Sequence, residues 1–198
     1  TCFFADDVIS RVEHDEGAQY RWDIDEDGTH HEGLNWYHPH IHGSTAIQVI
    51  GGATGALIVE GDLDKVPGIA GAKERVMVLN QLPIHSAQTT PLPDGVACSE
   101  ATLSVNNFLT VSQDNPTLIN GKLRPRIVTP PGQIERWRMI YAGNRDEMGL
   151  KLHPALDDNC NAWDVTSPLE MVQIARDGQT LPQFYRSDTA WLSPGYRI

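Results

Sequence analysis

The spacing of turn-forming residues constrains the fold more than any other feature of this sequence. Gly, Pro, Asn and Asp interrupt the chain about every ten residues, and the segments between them are short and alternate in polarity. In AQYRWDI (18–24), Tyr20, Trp22 and Ile24 would share one face of a half-buried antiparallel strand. No stretch longer than about ten residues has a clear 3.6-residue apolar period. The pattern predicts an all-β sandwich or barrel.

Two series of predicted strands are separated by the acidic, Pro-containing stretch EGDLDKVPGIAGAKE, in which the alternation stops. We therefore predict a first domain at 1–63, a linker at 64–73 and a second domain at 74–198. GIAGAKERV could form one or two helical turns. The apolar segments GALIVEG and RVMVLNQL are typical of interior strands.

Short turn motifs subdivide the second series of strands. Asn120-Gly121 and Asp177-Gly178 are strong hairpin signals, because both positions of the tight hairpin turn need a left-handed backbone. A Pro-Pro-Gly sequence at 130–132 predicts a turn that leads into another strand. The inward face of that strand is ambiguous, because its apolar residues do not alternate regularly.

Composition excludes several classes of protein. With 15 basic and 26 acidic residues, the formal charge is −11, which disfavours nucleic acid as a partner. No run reaches the roughly 18 to 20 apolar residues of a membrane span. Cys2, Cys98 and Cys160 are too few and too scattered for a disulfide framework, although a bridge between Cys98 and Cys160 stays open.

His38, His40 and His42 stand at alternate positions. In a strand, residues two apart share a face at roughly 7 Å, which suits ligands of adjacent metal ions, or of one ion if the strand bends. Pro39 cannot donate a ladder hydrogen bond, so we expect a sheet edge or strand end there. Imidazole favours copper or zinc, and no carboxylate lies between the histidines. The alternative is an exposed His-rich loop with no ligand role.

The stretch WYHPHIHGSTAIQVIGGATGALIVEGD resembles the second copper-binding motif of the multicopper oxidases, the family of laccases, bacterial cuprous oxidases and copper-resistance oxidases. The shared features are an aromatic pair, a His-X-His sequence, a Gln, and a Gly-rich segment that precedes an apolar strand. YRWDI, INGKLRPRIVTPPGQIERWRMIYAG and ARDGQTL continue the similarity and resemble the middle domain of three-domain members. The resemblance implies cupredoxin-like Greek-key domains, the first one incomplete, in a fragment that covers the end of domain 1 and most of domain 2.

The resemblance also implies the chemistry. His38 and His40 match the histidines that bind the type 3 copper pair, where dioxygen is reduced to water with electrons from a small reducing substrate. His42 would orient a ligand or pass protons, and Asp6 or Asp7 would assist proton delivery, unless either one is only an exposed loop carboxylate. Copper, the remaining cupredoxin domains and an extracytoplasmic location, periplasmic or secreted, are implied in the same way.

Two parts of the family pattern lie elsewhere or are missing. The family's first copper motif, on an earlier strand, would precede residue 1. None of the three cysteines has a neighbouring histidine, so the His-Cys-His segment of the type 1 copper site is not recognisable. We therefore expect this chain alone to be inactive. A metal-free cupredoxin scaffold and a non-redox copper-binding module remain alternatives.

Overall fold

The computed structural model describes residues 8–9, 11–20, 24, 30–82, 116–143, 146–157 and 160–198. Strands predominate in these ranges, with two short helices. In chain order the elements are β1 (Gly33–Tyr37), α1 (Thr45–Ile50), β2 (Gly55–Val59), α2 (Asp62–Lys65), β3 (Lys73–Gln81), β4 (Thr117–Ile119), β5 (Lys122–Leu123), β6 (Glu135–Tyr141), β7 (Met148–Leu150), β8 (Met171–Arg176), β9 (Gln179–Ser187) and β10 (Ala190–Leu192). The predicted all-β class is confirmed.

A four-stranded sheet with the order β5-β4-β3-β6 forms the centre of the structure. β3 and β6 are parallel, with Lys73 opposite Glu135 and Leu79 opposite Tyr141, while β4 is antiparallel to both β3 and β5. The pairs β1-β2, β7-β10 and β8-β9 are antiparallel two-stranded sheets. RVMVLNQL is therefore an interior strand, as predicted. GALIV of β2 pairs only with β1 among the described strands.

The three predicted turns are confirmed by their backbone angles. Asn120 and Gly121, between β4 and β5, have φ of 50° and 75°, and Asp177 and Gly178, between β8 and β9, have 51° and 80°. Two consecutive left-handed residues match the right-handed twist of the flanking strands. Gly132 has a φ of 78° in the Pro-Pro-Gly turn before β6, where a side chain would be strained.

One face of the central sheet carries the hydrophobic core. Trp137, Met139 and Tyr141 are the inward-facing residues of β6, which removes the ambiguity of the sequence pattern, while Ile134 before the strand is 76% exposed. The buried cluster consists of Met77, Leu79, Met139, Tyr141, Met148 and Leu192. Burying a side chain of this size contributes about 1.5–3 kcal/mol to stability. Since four of the six residues lie on β3 and β6, these two strands form the centre of the core.

The opposite face of the sheet is covered by α2 and contains buried charges. Arg138 is 5% exposed and donates to Asp64 and to Glu74 at 2.5 and 2.8 Å. Arg136 also donates to Asp64. Burial disfavours ionisation of Asp64, but the Gly61 amide and the two guanidinium groups outweigh it and hold its pKa below the usual value. Asp64, in the stretch predicted to be a linker, therefore fastens α2 to β6.

The local structure differs from the sequence pattern in some of the described residues. Residues 18–20 are not in a strand, and Tyr20 and Ile24 are 50% and 44% exposed, whereas Trp22 lies outside the described residues. In GIAGAKERV, residues 68–71 form hydrogen-bonded turns, in which the Ala70 N–H donates to the Val66 carbonyl at 3.0 Å, and no regular helix forms before β3 begins at Lys73. The residues that follow the three histidines form a six-residue helix, α1, which the strand pattern did not predict. Such short elements are decided by tertiary contacts rather than by propensity.

The carboxylate of Glu135 should make stability depend on pH. Arg75 donates to both of its oxygens at 2.6 and 2.9 Å, and the Trp137 indole N–H donates at 2.9 Å. The Arg75 and Trp137 hydrogen bonds lower the pKa of Glu135 from 4.5 to about 2. Because the folded-state pKa of Glu135 is depressed, its carboxylate contributes fully to the free energy of unfolding above about pH 4.5. This contribution is lost as the pH falls towards 2.

We expect Glu135→Gln to be less stable than the unsubstituted chain at neutral pH, with the difference shrinking between about pH 4.5 and 2. The difference in stability is measured by urea unfolding at several pH values, with far-UV circular dichroism as the signal. Glu60→Gln, at an exposed position, is the matched control. A difference that stays constant across this pH range would contradict the assignment.

Candidate metal centre

The three histidines begin immediately after β1. The strand ends at Tyr37, whose ladder partner is Gly55, and His38 is the first residue beyond it. The predicted strand end at Pro39 is therefore confirmed, in agreement with the missing proline N–H. The residues from His38 to Ser44, here called the histidine loop, connect β1 to α1.

The imidazole rings follow one another along the histidine loop. The ring centroids of His38 and His40 are 5.7 Å apart, and those of His40 and His42 are 6.2 Å apart. The Trp36 ring lies 4.4 Å from that of His38 with an interplanar angle of 36°. His38 is half-buried, and His40 and His42 are exposed. The loop thus presents neighbouring nitrogen donors, with His38 the most enclosed.

The backbone selects the tautomer of His38. Its Nδ1 lies 2.9 Å from the carbonyl oxygen of Pro39. A carbonyl oxygen can only accept, so Nδ1 carries the proton and donates it. In the neutral ring, Nε2 then keeps its lone pair. This is the usual state of a metal-binding histidine, whose second nitrogen donates to a carbonyl or carboxylate.

These donors suit copper, but they form only part of a ligand set. Imidazole nitrogens are ligands that copper accepts readily. Within the described ranges, no group of three or more His, Cys, Asp or Glu side chains is placed to hold a metal ion. Asp6 and Asp7, predicted to deliver protons, lie outside those ranges. His38 and His40 therefore offer neighbouring nitrogen donors, and the described residues do not complete a metal site around them.

The other histidines and the cysteines are not part of the histidine loop. His14, His30 and His31 are exposed. The Nδ1 of His153 donates to the Asp164 carbonyl at 2.8 Å. Cys160 is a free, exposed thiol, and Cys2 and Cys98 lie outside the described residues.

Asn80 fastens the helix that follows the histidine loop to the central sheet. The Asn80 side chain, on β3, donates from Nδ2 to the Val49 carbonyl of α1 at 2.9 Å and to the Ala142 carbonyl at 3.4 Å. Asn80 is only 7% exposed, and its Oδ1 has no partner in the described structure. We did not predict this role; the available signal was one amide in the apolar run RVMVLNQL.

Arg197 fastens the strand that precedes the histidine loop. Its Nε donates to the Leu34 carbonyl of β1 at 3.2 Å, and its Nη2 donates to the Asp177 carbonyl in the β8–β9 turn at 3.0 Å. Gly33 lies so close to this turn that a Cβ would stand 2.1 Å from the carbonyl oxygen of Gly178. Both flanks of the histidine loop are therefore held by the second series of strands.

Comparison with known proteins shows what the chain is similar to. No protein-family profile matches the sequence. A multicopper oxidase of Staphylococcus aureus is 30% identical over 122 residues, which are 59% of this chain and 24% of that protein. In sequence, the chain is similar to a multicopper oxidase. It spans about a quarter of the length of this curated multicopper oxidase.

Solved structures of multicopper oxidases share the fold. The McoA multicopper oxidase from the hyperthermophile Aquifex aeolicus aligns with a TM-score of 0.58 and 19% identity, over 85% of this chain and 33% of that chain. A laccase from Pediococcus acidilactici aligns with a TM-score of 0.53 and 23% identity, over 84% of this chain and 31% of its own. The predicted cupredoxin-like fold is confirmed. The domain boundaries and the roles of His38, His40 and His42 stay predictions.

We expect Asn80→Asp to loosen the attachment of α1. Aspartate has nearly the shape of asparagine but no N–H, so its oxygens would face the carbonyls of Val49 and Ala142. The loss should be at least roughly 1–3 kcal/mol of unfolding free energy, because two buried acceptors lose their donor. Urea unfolding measures it, with Asn161→Asp at an exposed position as the control. Equal stability of the two variants would refute the role of Asn80.

Proposed function

We propose that this chain supplies His38 and His40 as ligands of the type 3 copper pair in a multicopper oxidase. In such an enzyme, one-electron oxidation of a small reducing substrate is coupled to four-electron reduction of dioxygen to water. The hydrogen bond from His38 Nδ1 to the Pro39 carbonyl is the observation that carries the proposal. It leaves Nε2 as the donor nitrogen before any metal binds.

The surroundings of His38 support this role. The Trp36 ring against the imidazole restricts its rotation, and the Pro39 carbonyl determines its tautomer. A ligand whose rotamer and tautomer are already set loses less entropy on binding. Bound copper would supply the electron transfer and the binding of dioxygen, and the protein would hold the imidazoles in place.

His40 and His42 have different roles in the proposal. The ring of His40 is next to that of His38 and would bind the second copper ion of the pair. His42 lies beyond His40 at the exposed end of the row, where it would orient a ligand or pass protons. Asp6 or Asp7 would assist proton delivery to reduced oxygen. Imidazole and carboxylate are both common proton carriers.

Other cupredoxin domains would complete the enzyme. A type 1 copper site needs one Cys and two His ligands, and no cysteine of this chain has a histidine beside it. We infer that the site of substrate oxidation and the remaining ligands come from outside these 198 residues. Following the family, we place the complete enzyme outside the cytoplasm. For the described residues, no helix is long and apolar enough to cross a membrane.

Copper binding by single-histidine variants tests the ligand assignment. We expect His38→Gln and His40→Gln each to weaken Cu(I) binding at least about tenfold, because each removes a nitrogen donor. Competition with a chromophoric copper chelator measures it. His30→Gln removes an exposed histidine that precedes β1 and should bind like the unsubstituted chain.

The same titration distinguishes the alternatives. Equal affinity of the two loop variants and the control would refute ligation by His38 and His40. No copper binding by the unsubstituted chain would favour a metal-free scaffold. We also expect no steady oxygen consumption from the copper-loaded chain with a phenolic reductant; sustained turnover would contradict the proposal that other domains supply the remaining ligands.

A further inference from the structure

The side chain of Asn120 continues the ladder between β3 and β4. The two strands pair up to Ile119, which lies opposite Leu79. The Asn120 N–H still donates to the Val78 carbonyl at 2.9 Å, but the backbone turns away at this residue, whose φ is 50°. From here the side chain bonds to β3. Its Oδ1 accepts from the Val78 N–H at 2.8 Å, and its Nδ2 donates to the Val76 carbonyl at 2.9 Å.

The amide of Asn120 therefore replaces two backbone groups. In a continued antiparallel ladder, the Asn120 carbonyl would accept from Val78 and the Lys122 N–H would donate to Val76. A primary amide supplies both an acceptor and a donor, whereas a carboxylate supplies acceptors only. The two hydrogen bonds hold both polar atoms of the Asn120 side chain against β3.

Asn120 is followed by glycine, and this is the one Asn-Gly pair in the 198 residues. In such a pair the glycine nitrogen can attack the side-chain amide carbon, because glycine has no side chain to hinder the approach. Both residues are exposed, and a Cβ built on Gly121 would meet no atom within 4 Å. Rotation of the amide towards the Gly121 nitrogen breaks the hydrogen bonds to β3. These bonds, rather than crowding, therefore restrain the reaction.

We propose that Asn120 is a site of spontaneous deamidation, which the folded chain restrains and which proceeds when the β4–β5 hairpin opens. In this reaction the Gly121 nitrogen forms a bond to Asn120 Cγ, the Cγ–Nδ2 bond breaks, and ammonia leaves with the proton of the Gly121 N–H. Water then opens the resulting succinimide ring at either carbonyl and gives aspartate or isoaspartate. The reaction needs no metal and is independent of the histidine loop.

Few contacts hold the β4–β5 hairpin closed. β4 has three residues and β5 has two, and the β5 residues are exposed. Among the described strands, β5 pairs only with β4. Ile119 is the β4 residue that packs against the hydrophobic core. Elements with few apolar contacts and exposed hydrogen bonds open at a low free energy, so we expect the hairpin to open without global unfolding.

The products do not restore the ladder. Aspartate keeps an acceptor for the Val78 N–H but has no N–H for the Val76 carbonyl. Isoaspartate also adds a methylene group to the main chain, which displaces the turn relative to β3. Deamidation at Asn120 therefore leaves β4 more weakly attached, and the change accumulates irreversibly as the protein ages.

Peptide mapping by mass spectrometry measures the conversion of Asn120 in the full chain at mildly alkaline pH. The reference is the peptide TLINGKL (117–123) in the same buffer, which contains the reactive pair without β3. We expect Asn120 to react at least about tenfold more slowly in the folded chain, because two hydrogen bonds must break first. Equal rates in the chain and the peptide, or no reaction in the peptide, would overturn the proposal.

Two variants test the opening of the hairpin. Ile119→Ala weakens the contact of β4 with the core and should speed up deamidation of Asn120 at least about threefold. Ile134→Ala makes the same truncation at a position that is 76% exposed and should leave the rate unchanged. If circular dichroism shows both variants folded and Ile119→Ala reacts no faster than Ile134→Ala, the hairpin-opening route is wrong.

Amide hydrogen exchange at Val78 tests the ladder itself. Asn120→Ala removes the acceptor of the Val78 N–H and should speed up its exchange roughly tenfold. Asn120→Asp keeps an acceptor and should give an intermediate rate. Equal exchange at Val78 in Asn120→Ala and the unsubstituted chain would show that the side chain does not restrain this edge, and the proposal would fail.

Discussion

The parallel ladder between β3 and β6 is the interaction on which the rest of the structure depends. One face of the ladder holds the core through Leu79 and Tyr141. The other face holds α1 and α2 through Asn80 and Arg138. The packing of the hydrophobic core and the position of the histidine loop are therefore coupled, because both depend on the register of β3 and β6.

The chemistry of the histidine loop depends on one residue in two ways. Pro39 lacks the N–H needed to extend β1, so the loop leaves the sheet at His38. Its carbonyl then accepts a hydrogen bond from His38 Nδ1–H, so that in the neutral ring Nε2 keeps its lone pair. Pro39 thus both ends β1 and sets the tautomer of His38. Asn80 and Arg197 keep the flanking elements in place from the opposite side of the fold.

Local patterns could be predicted, and contacts between distant residues could not. The hairpin at Asn120-Gly121 was predictable because its backbone angles depend on the two residues themselves. The strand expected at 18–20 failed, because alternation alone does not provide a partner strand. Asn80 was missed because its acceptor, the Val49 carbonyl, is 31 residues away in the chain.

The sequence by itself determined the β class, the turn positions and which histidines are the candidate ligands, because these follow from spacing, proline geometry and imidazole chemistry. Only the tertiary structure decided which face of β6 is buried, how α1 is held and which nitrogen of His38 carries the proton. These features depend on contacts that form in the folded chain, and sequence periodicity does not report such contacts.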